Sequence, residues 1–302
     1  MKLSVVVPCY NEVANVSEFE SELSKALLKE KITYEIIFID DGSTDDTYSK
    51  LSSLNKANKN VKVIRFSRNF GKESAMLAGL KNASGSYVAI MDADLQHTPE
   101  MLIFMYKKLI NDDSFDCCCA YKSNREDEGS LKRTLTSLFY KINNKISDVK
   151  LLPGASDFRV FKKSVCDAIT SLDEKTRFLK GMFSWVGFNT IYVPYIPEKR
   201  MYGTSKWSLF KLLKYSLGGI ISFSTKPIKS VFIIGVLALI VGLLNFILIG
   251  NLSNRTIILF ISLIMLSIGI ISLYVSRIYS NILNRPCYII KEKLGFNDKS
   301  SK

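Results

Sequence analysis

Two uncharged apolar runs near the end of the chain constrain it most. Val231–Gly250 is 20 residues long and Thr256–Ser276 is 21, and neither holds a charged side chain. A helix rises about 1.5 Å per residue, so about 20 such residues span a hydrocarbon core of ~30 Å. Both runs are apolar all round rather than along one stripe, unlike a helix lying on a soluble core. The short connector Asn251–Arg255 makes the pair an antiparallel hairpin. Its only cation is Arg255, whereas Lys226, Lys229, Arg277, Arg285, Lys291 and Lys293 flank the outer ends. Because cationic flanks stay inside, both termini and everything before residue 228 are expected on the cytoplasmic side of the membrane. Ser208–Phe223 mixes apolar residues with Lys211 and Lys214, as an interfacial helix does. Pro227 is expected to break the chain before the first crossing. The expected organisation is a soluble domain over 1–207, an interfacial amphipathic helix over 208–227, a hairpin over 228–278 (crossings at 231–250 and 256–276) and a polar cytoplasmic tail over 279–302.

Charge follows the same division. The net charge is +13, yet residues 200–302 hold 13 of the 41 Lys and Arg against 2 of the 28 Asp and Glu. A nucleic-acid reader would carry its cations on the folded domain. Cations that flank greasy segments suit an anionic membrane surface, so no nucleic-acid partner is expected. Of six cysteines, Cys117, Cys118 and Cys119 are adjacent, and His97 is the only histidine. That pattern disfavours a zinc site and reads as reduced, buried thiols. His97 is expected to be a loop residue. The opening residues, MKLSVVVPCYNE, turn polar too soon for a signal peptide.

The first half alternates strand and helix: strands at Leu3–Pro8, Tyr34–Ile39, Val61–Phe66 and Tyr87–Met91, helices at Val16–Lys29, Thr44–Lys56 and Lys72–Asn82. Ser43 or Thr44 is the expected N-cap of the second helix. This order predicts an α/β fold with a mostly parallel sheet covered on both faces. Ligands of such sheets sit beyond the carboxyl ends of the strands. The polar clusters Pro8-Cys9-Tyr10-Asn11-Glu12, Asp40-Asp41-Gly42-Ser43 and Asp92-Ala93-Asp94 all fall there. Asp92 and Asp94, with Gln96, form an oxygen-rich corner of the kind Mg²⁺ and Mn²⁺ share with substrate phosphates. Asp41 can accept from a base N–H or a ribose hydroxyl, whereas Asp45 reads as a turn that caps the next helix. Neither a dinucleotide fingerprint nor a P-loop occurs.

The segments VVVPCYNE, IIFIDDGSTDDT, NFGKESAMLAGL and MDADLQHTPE resemble, in order and spacing, the family 2 glycosyltransferases of the GT-A fold. More narrowly, the whole chain is similar to the polyprenyl-phosphate glycosyltransferases, among them the bactoprenol glucosyltransferases and dolichol-phosphate mannose synthase. That resemblance implies a Rossmann-like GT-A domain and a nucleotide-sugar site formed by Pro8, Tyr10, Glu12, Asp40, Asp41, Asp92 and Lys72. It implies a Mg²⁺ or Mn²⁺ ion on Asp94, helped by Asp92 and Gln96. Asp157, in GASDFRVF, matches an acid near the reacting carbon. Arg200, Gly203, Ser205 and Lys206, in EKRMYGTSKW, match a segment that approaches phosphate, Arg200 acting in catalysis with Asp94 and Asp157. Arg125, Lys132, Arg133 and Ser137 match a loop that grips the acceptor phosphate.

Physical chemistry supports the same picture. A departing nucleoside diphosphate gains negative charge that cations must neutralise. Lys122, Arg125, Lys132 and Arg133 would supply a basic pocket for a lipid phosphate. A phosphate with a second pKa near 6 is already mostly deprotonated at pH 7, so Asp157 is expected to orient or stabilise rather than to abstract a proton. The reading is an inverting transfer of one sugar, from a UDP-sugar such as UDP-glucose or UDP-GlcNAc, to polyprenyl (undecaprenyl) phosphate. A homo-oligomer, possible as a tetramer, and a flippase that takes the product are the implied partners. Two other readings stand beside it: a processive polysaccharide synthase, whose Q-x-x-R-W segment this chain lacks, and a non-catalytic scaffold that binds nucleotide sugars.

Overall fold

The computed structural model describes residues 1–123, 130–196, 218–249 and 254–296. Its soluble part is one eight-stranded mixed sheet with helices on both faces. In chain order the elements are β1 (Lys2–Cys9), α1 (Val16–Lys29), β2 (Thr33–Asp40), α2 (Thr47–Ala57), β3 (Val61–Phe66), α3 (Lys72–Asn82), β4 (Tyr87–Ile90), α4 (Pro99–Asn111), β5 (Cys117–Lys122), α5 (Ser130–Ile146), β6 (Ala155–Lys162), α6 (Lys163–Ser171), α7 (Leu179–Trp185), β7 (Thr190–Tyr195), α8 (Lys226–Ile249), α9 (Asn254–Ile282) and β8 (Ile290–Leu294). The strand order is β7-β5-β6-β4-β1-β2-β3-β8. Strands β4, β1, β2 and β3 are parallel neighbours, and β5 runs parallel to β7. Strand β6 is antiparallel to both β4 and β5, and β8 to β3.

Continuous apolar runs suit strands buried on both faces. Val5, Val7, Ile36 and Phe38 face a core closed by α1 and α4, while Val6, Ile37 and Ile39 face one closed by α3, α6 and α7. Helix α3 approaches closely because residue 79 is glycine: a Cβ there would stand 2.2 Å from Val6 Cγ1 and 2.8 Å from Ile39 Cδ1. Cys117, Cys118 and Cys119 are free, buried strand residues, and burial pushes the Cys117 and Cys118 thiols up to about 12.

The alternation and most boundaries are as the sequence predicts, with three differences. Helix α2 starts at Thr47, not Thr44. Ser43 accepts from Asn11 N–H and Asp45 from Thr47 N–H, so these polar residues make a loop rather than a helix turn. Pro227 lies in the first turn of α8, where its missing N–H costs no intrahelical bond. The span expected as a tail returns instead to the sheet. Strand β8 pairs with β3, Tyr288 stacks on Phe66 with ring centroids 5.0 Å apart, and Lys293 Nζ donates to Asn82 Oδ1 at 2.9 Å.

Helices α8 and α9 contain windows of mean hydropathy 2.4 and 2.6, Lys226–Leu244 and Ile257–Ile282, and neither window is buried in the protein. Both are long and apolar enough to cross a membrane. They touch at Gly242, where a Cβ would meet the Phe260 ring at 3.4 Å. The base of α9 is tied to the soluble body: Arg277 donates to Thr176 O at 2.8 Å, and Tyr274 Oη donates to Ser224 O at 2.7 Å. Residues 208–217, half of the span expected as an interfacial helix, lie outside the described residues, and 218–222 are helical.

Candidate active site

The carboxyl ends of β1, β2 and β4 meet the start of β6 at one edge of the sheet. The loops after β1 and β2 are tied together, Asn11 N–H donating to Ser43 Oγ at 3.0 Å and Glu12 N–H to Thr47 Oγ1 at 2.9 Å. Pro8, Tyr10 and Glu12 are half-buried on this rim. Asp40 is fully buried; one oxygen accepts from Ser43 N–H, and Arg65 Nε stands 3.6 Å from the other. Gly42 has φ +65°, and a Cβ there would meet the Arg68 carbonyl carbon at 2.4 Å, so only glycine lets this loop lie against residues 68–69.

Asp41 organises the turn between β3 and α3. Its two oxygens accept from the N–H groups of Phe70 (2.6 Å) and Gly71 (2.9 Å). Burial raises its carboxyl to about 6, against the pull of those two donors. Gly71, at φ +94°, turns the chain into α3, whose first residue is Lys72. The Lys72 ammonium stands 2.7 and 2.8 Å from the two oxygens of Asp92 and 3.2 Å from Asp157 Oδ2. Thus β2 fixes a turn, the turn places a lysine, and the lysine joins an acid beyond β4 to one on β6. Burial works against both charges. The paired acids nevertheless hold Lys72 above its usual range, and Lys72, with Lys180 and Arg159, holds Asp157 well below the carboxylate range. Asp157 Oδ1 is buried with no hydrogen-bond partner among the described residues.

Asp94 and Gln96 come next in the loop beyond β4, with Gln96 N–H donating to Asp94 Oδ1 at 3.2 Å. His97 belongs to this loop but is buried. Its Nε2 is 3.0 Å from Tyr195 Oη, and its ring lies 4.5 Å from that of Phe158. Burial lowers His97 to about 4, so the ring is neutral near pH 7. It is a packing support for the acidic loop. Among the described residues no three Asp, Glu, His or Cys side chains converge as a closed metal cage. Lys72 occupies both oxygens of Asp92, so a hard divalent ion at this loop would rest first on Asp94 and complete its shell with substrate phosphates.

The acceptor-phosphate residues are only partly visible. Ser137 is exposed on α5, and Lys122 is half-buried at the end of β5. Lys132 and Arg133 lie in α5, but their side chains are outside the described residues, as are Arg125, Arg200, Gly203, Ser205 and Lys206 entirely. Sequence reasoning missed Tyr195, which braces His97, and the pair Arg159 and Lys180 behind Asp157. Arg159 carried a readable signal: it sits two residues from Asp157, hence on the same strand face.

Glycosyl transferase family 2 matches residues 4–170. A prophage-derived bactoprenol glucosyl transferase of Shigella flexneri is 36% identical over 97% of this chain and 98% of its own length. The chain belongs to glycosyl transferase family 2. A prophage bactoprenol glucosyl transferase homolog of Escherichia coli K12 is likewise 36% identical, over 96% of this chain and 99% of that one. Among solved structures, glucosyl-3-phosphoglycerate synthase from Mycobacterium tuberculosis, in complex with Mn²⁺, UDP-glucose and phosphoglyceric acid, aligns with a TM-score of 0.50. It shares 18% identity over 73% of this chain and 77% of that one, a likeness of fold. The soluble part of this family 2 enzyme is a GT-A domain, with its acids at the edge where that fold binds ligands.

Proposed function

We propose that this family 2 enzyme transfers one sugar, with inversion, from a UDP-sugar to polyprenyl phosphate at the cytoplasmic face of a bacterial membrane. One observation carries the reading: the Asp92–Lys72–Asp157 cluster sits on the same body that grips the base of α9. A greasy acceptor is costly to extract, at about 0.8 kcal/mol per CH₂, so the site must come to the bilayer. Helices α8 and α9 supply that approach. The full-length likeness to bactoprenol glucosyl transferases supports the acceptor class, and the fold shared with a UDP-glucose enzyme suits the donor.

In this reading Pro8, Tyr10, Glu12, Asp40 and Asp41 form the nucleoside end of the site, and Lys72 and Asp92 the diphosphate end. Asp94 and Asp92, with Gln96, would hold Mg²⁺ or Mn²⁺, which supplies positive charge against the departing diphosphate. The acceptor phosphate oxygen bonds to the anomeric carbon as the bond from that carbon to UDP breaks, and UDP leaves. At pH 7 that oxygen carries no proton to remove. Asp157, kept ionised by Lys72, faces the positive charge that develops on the sugar and orients the acceptor. Arg125, Lys132, Arg133, Ser137, Arg200, Ser205 and Lys206 are assigned to phosphate contacts. Purified protein given UDP-[¹⁴C]glucose or UDP-[¹⁴C]GlcNAc, Mn²⁺ and undecaprenyl phosphate should release UDP and move label into the organic phase. Failure of label to move with either donor would overturn the assignment.

A further inference from the structure

A cavity of about 360 Å³ opens behind Asp157, between β6, β7, α7 and the loop after α5. It belongs to neither the donor edge nor the acidic loop. Its charged lining is unbalanced: Arg159 and Lys180 lie within it, and Asp148, an exposed residue, is the only acid among its lining residues. Arg159 rises from β6 and is only 5% exposed. Its guanidinium stacks over the Phe183 ring at 4.0 Å, and one of its N–H groups donates to Ser156 O at 3.0 Å. Its Nε has no hydrogen-bond partner among the described residues. Lys180 Nζ donates to Ala155 O at 2.9 Å. Among the described residues neither cation has a carboxylate within 4.0 Å; Asp157, on which both act at longer range, is paired with Lys72. A buried guanidinium with a donor unmet is costly unless an anion completes it. Arginine presents a planar fork that matches phosphate oxygens, and its stacking on Phe183 keeps that plane fixed.

The cavity also has a side toward the long helices. Asp148 N–H and Ser147 Oγ both donate to Phe223 O, at 2.8 and 3.0 Å, three residues before α8 begins. The volume exceeds what a bare phosphate needs, and Tyr140 and Tyr192 line it with rings that suit an organic carrier.

We propose that this cavity is a second anion site, which takes a phosphate group carried by a lipid headgroup or free in solution, with Arg159 as its buried cation and Lys180 as its partner. The cavity is separate from the donor edge, although its two cations also act on the Asp157 carboxylate.

The test is binding of inorganic phosphate to the detergent-solubilised full chain, measured by ³¹P line broadening and calorimetry. Besides binding at the residues assigned to the acceptor phosphate, one saturable component is expected that is weakened at least tenfold in Lys180→Met and Arg159→Gln and largely retained in Arg159→Lys. Lys180 is only half-buried and is held through a single backbone carbonyl, so Lys180→Met decides the matter even if Arg159→Gln does not fold. Displacement of the phosphate by dioctanoylphosphatidylglycerol, but not by dioctanoylphosphatidylcholine, identifies a lipid headgroup; displacement by neither identifies a soluble phosphate. The proposal is overturned if no saturable binding occurs, or if Lys180→Met and Arg159→Gln bind phosphate as the native chain does.

Discussion

The Lys72 ammonium stands 3.2 Å from a carboxylate oxygen of Asp157, a residue 85 positions further along the chain. The same ammonium holds Asp92, so one cation serves two acids from different strands. Removing it leaves two carboxylates facing each other without their shared counter-charge. Lys72→Met should therefore lower kcat for sugar transfer about 10²-fold or more, the scale for loss of one preorganised electrostatic group. Circular dichroism should be unchanged, since Lys72 opens α3 rather than packing in its core. Near-native turnover in the labelled-sugar assay would refute this role.

Asp157 is ionised throughout the working range because its carboxyl is held far below neutrality. Asp157→Asn should cut turnover, and raising the pH from 6 to 9 should not restore it. Recovery at high pH in a rate profile would point to proton abstraction instead.

Chelation with EDTA should abolish transfer, and Mn²⁺ should restore it to the native chain. Asp94→Asn should need a much higher Mn²⁺ concentration, read from the metal dependence of initial rates. Equal Mn²⁺ dependence for the two proteins would remove Asp94 from the metal site.

Glu35 is buried at the far end of the sheet, where Lys2, Lys62, Ser4 and Ser84 bind it. Burial alone would raise its carboxyl, but these partners lower it from 4.5 to about 2. A depressed acid stabilises the fold above its unfolded pKa, and that contribution is lost as pH falls through the folded value. Glu35→Gln should thus flatten the stability curve between pH 4.5 and 2, removing up to about 3 kcal/mol near neutrality. Urea unfolding of the soluble body across that range checks it.

The strand–helix alternation was legible because β1, β2 and β4 are mostly apolar runs that give way to polar or acidic residues, and β3 is rich in β-branched residues. The Asp92–Asp94 corner was legible for the same reason. The link from Asp41 through Phe70 and Gly71 to Lys72 was not, since backbone N–H groups leave no mark in a sequence. Lys180 escaped notice because its importance comes from a bond to the Ala155 carbonyl, which no local pattern encodes, whereas Arg159, two residues beyond Asp157 on one strand, was within reach of the pattern. Strand β8 was hidden by its composition: IKEKL places three charged residues in a row between Ile290 and Leu294, comes after a long helix and precedes polar residues.

Gly79 offers a test of how closely the site depends on packing. A Cβ at this position would overlap Val6 and Ile39. Overpacking costs about 1–3 kcal/mol, whereas alanine regains about 1 kcal/mol of helix propensity. Gly79→Ala should destabilise the protein by up to about 2 kcal/mol and lower kcat, because α3 must back away and carry Lys72 with it. Chemical unfolding and turnover together check this, and a stabilised variant would contradict the packing.

Strand β8 gives the long helices a second mooring. The chain leaves the soluble body at Ser224 and rejoins it at Ile290, so α8 and α9 are a loop clamped at both feet rather than a flexible stalk. A protease nick in the connector between them would part the backbone without freeing either piece, and the tilt of the acidic edge over a bilayer would be set by two anchors instead of one.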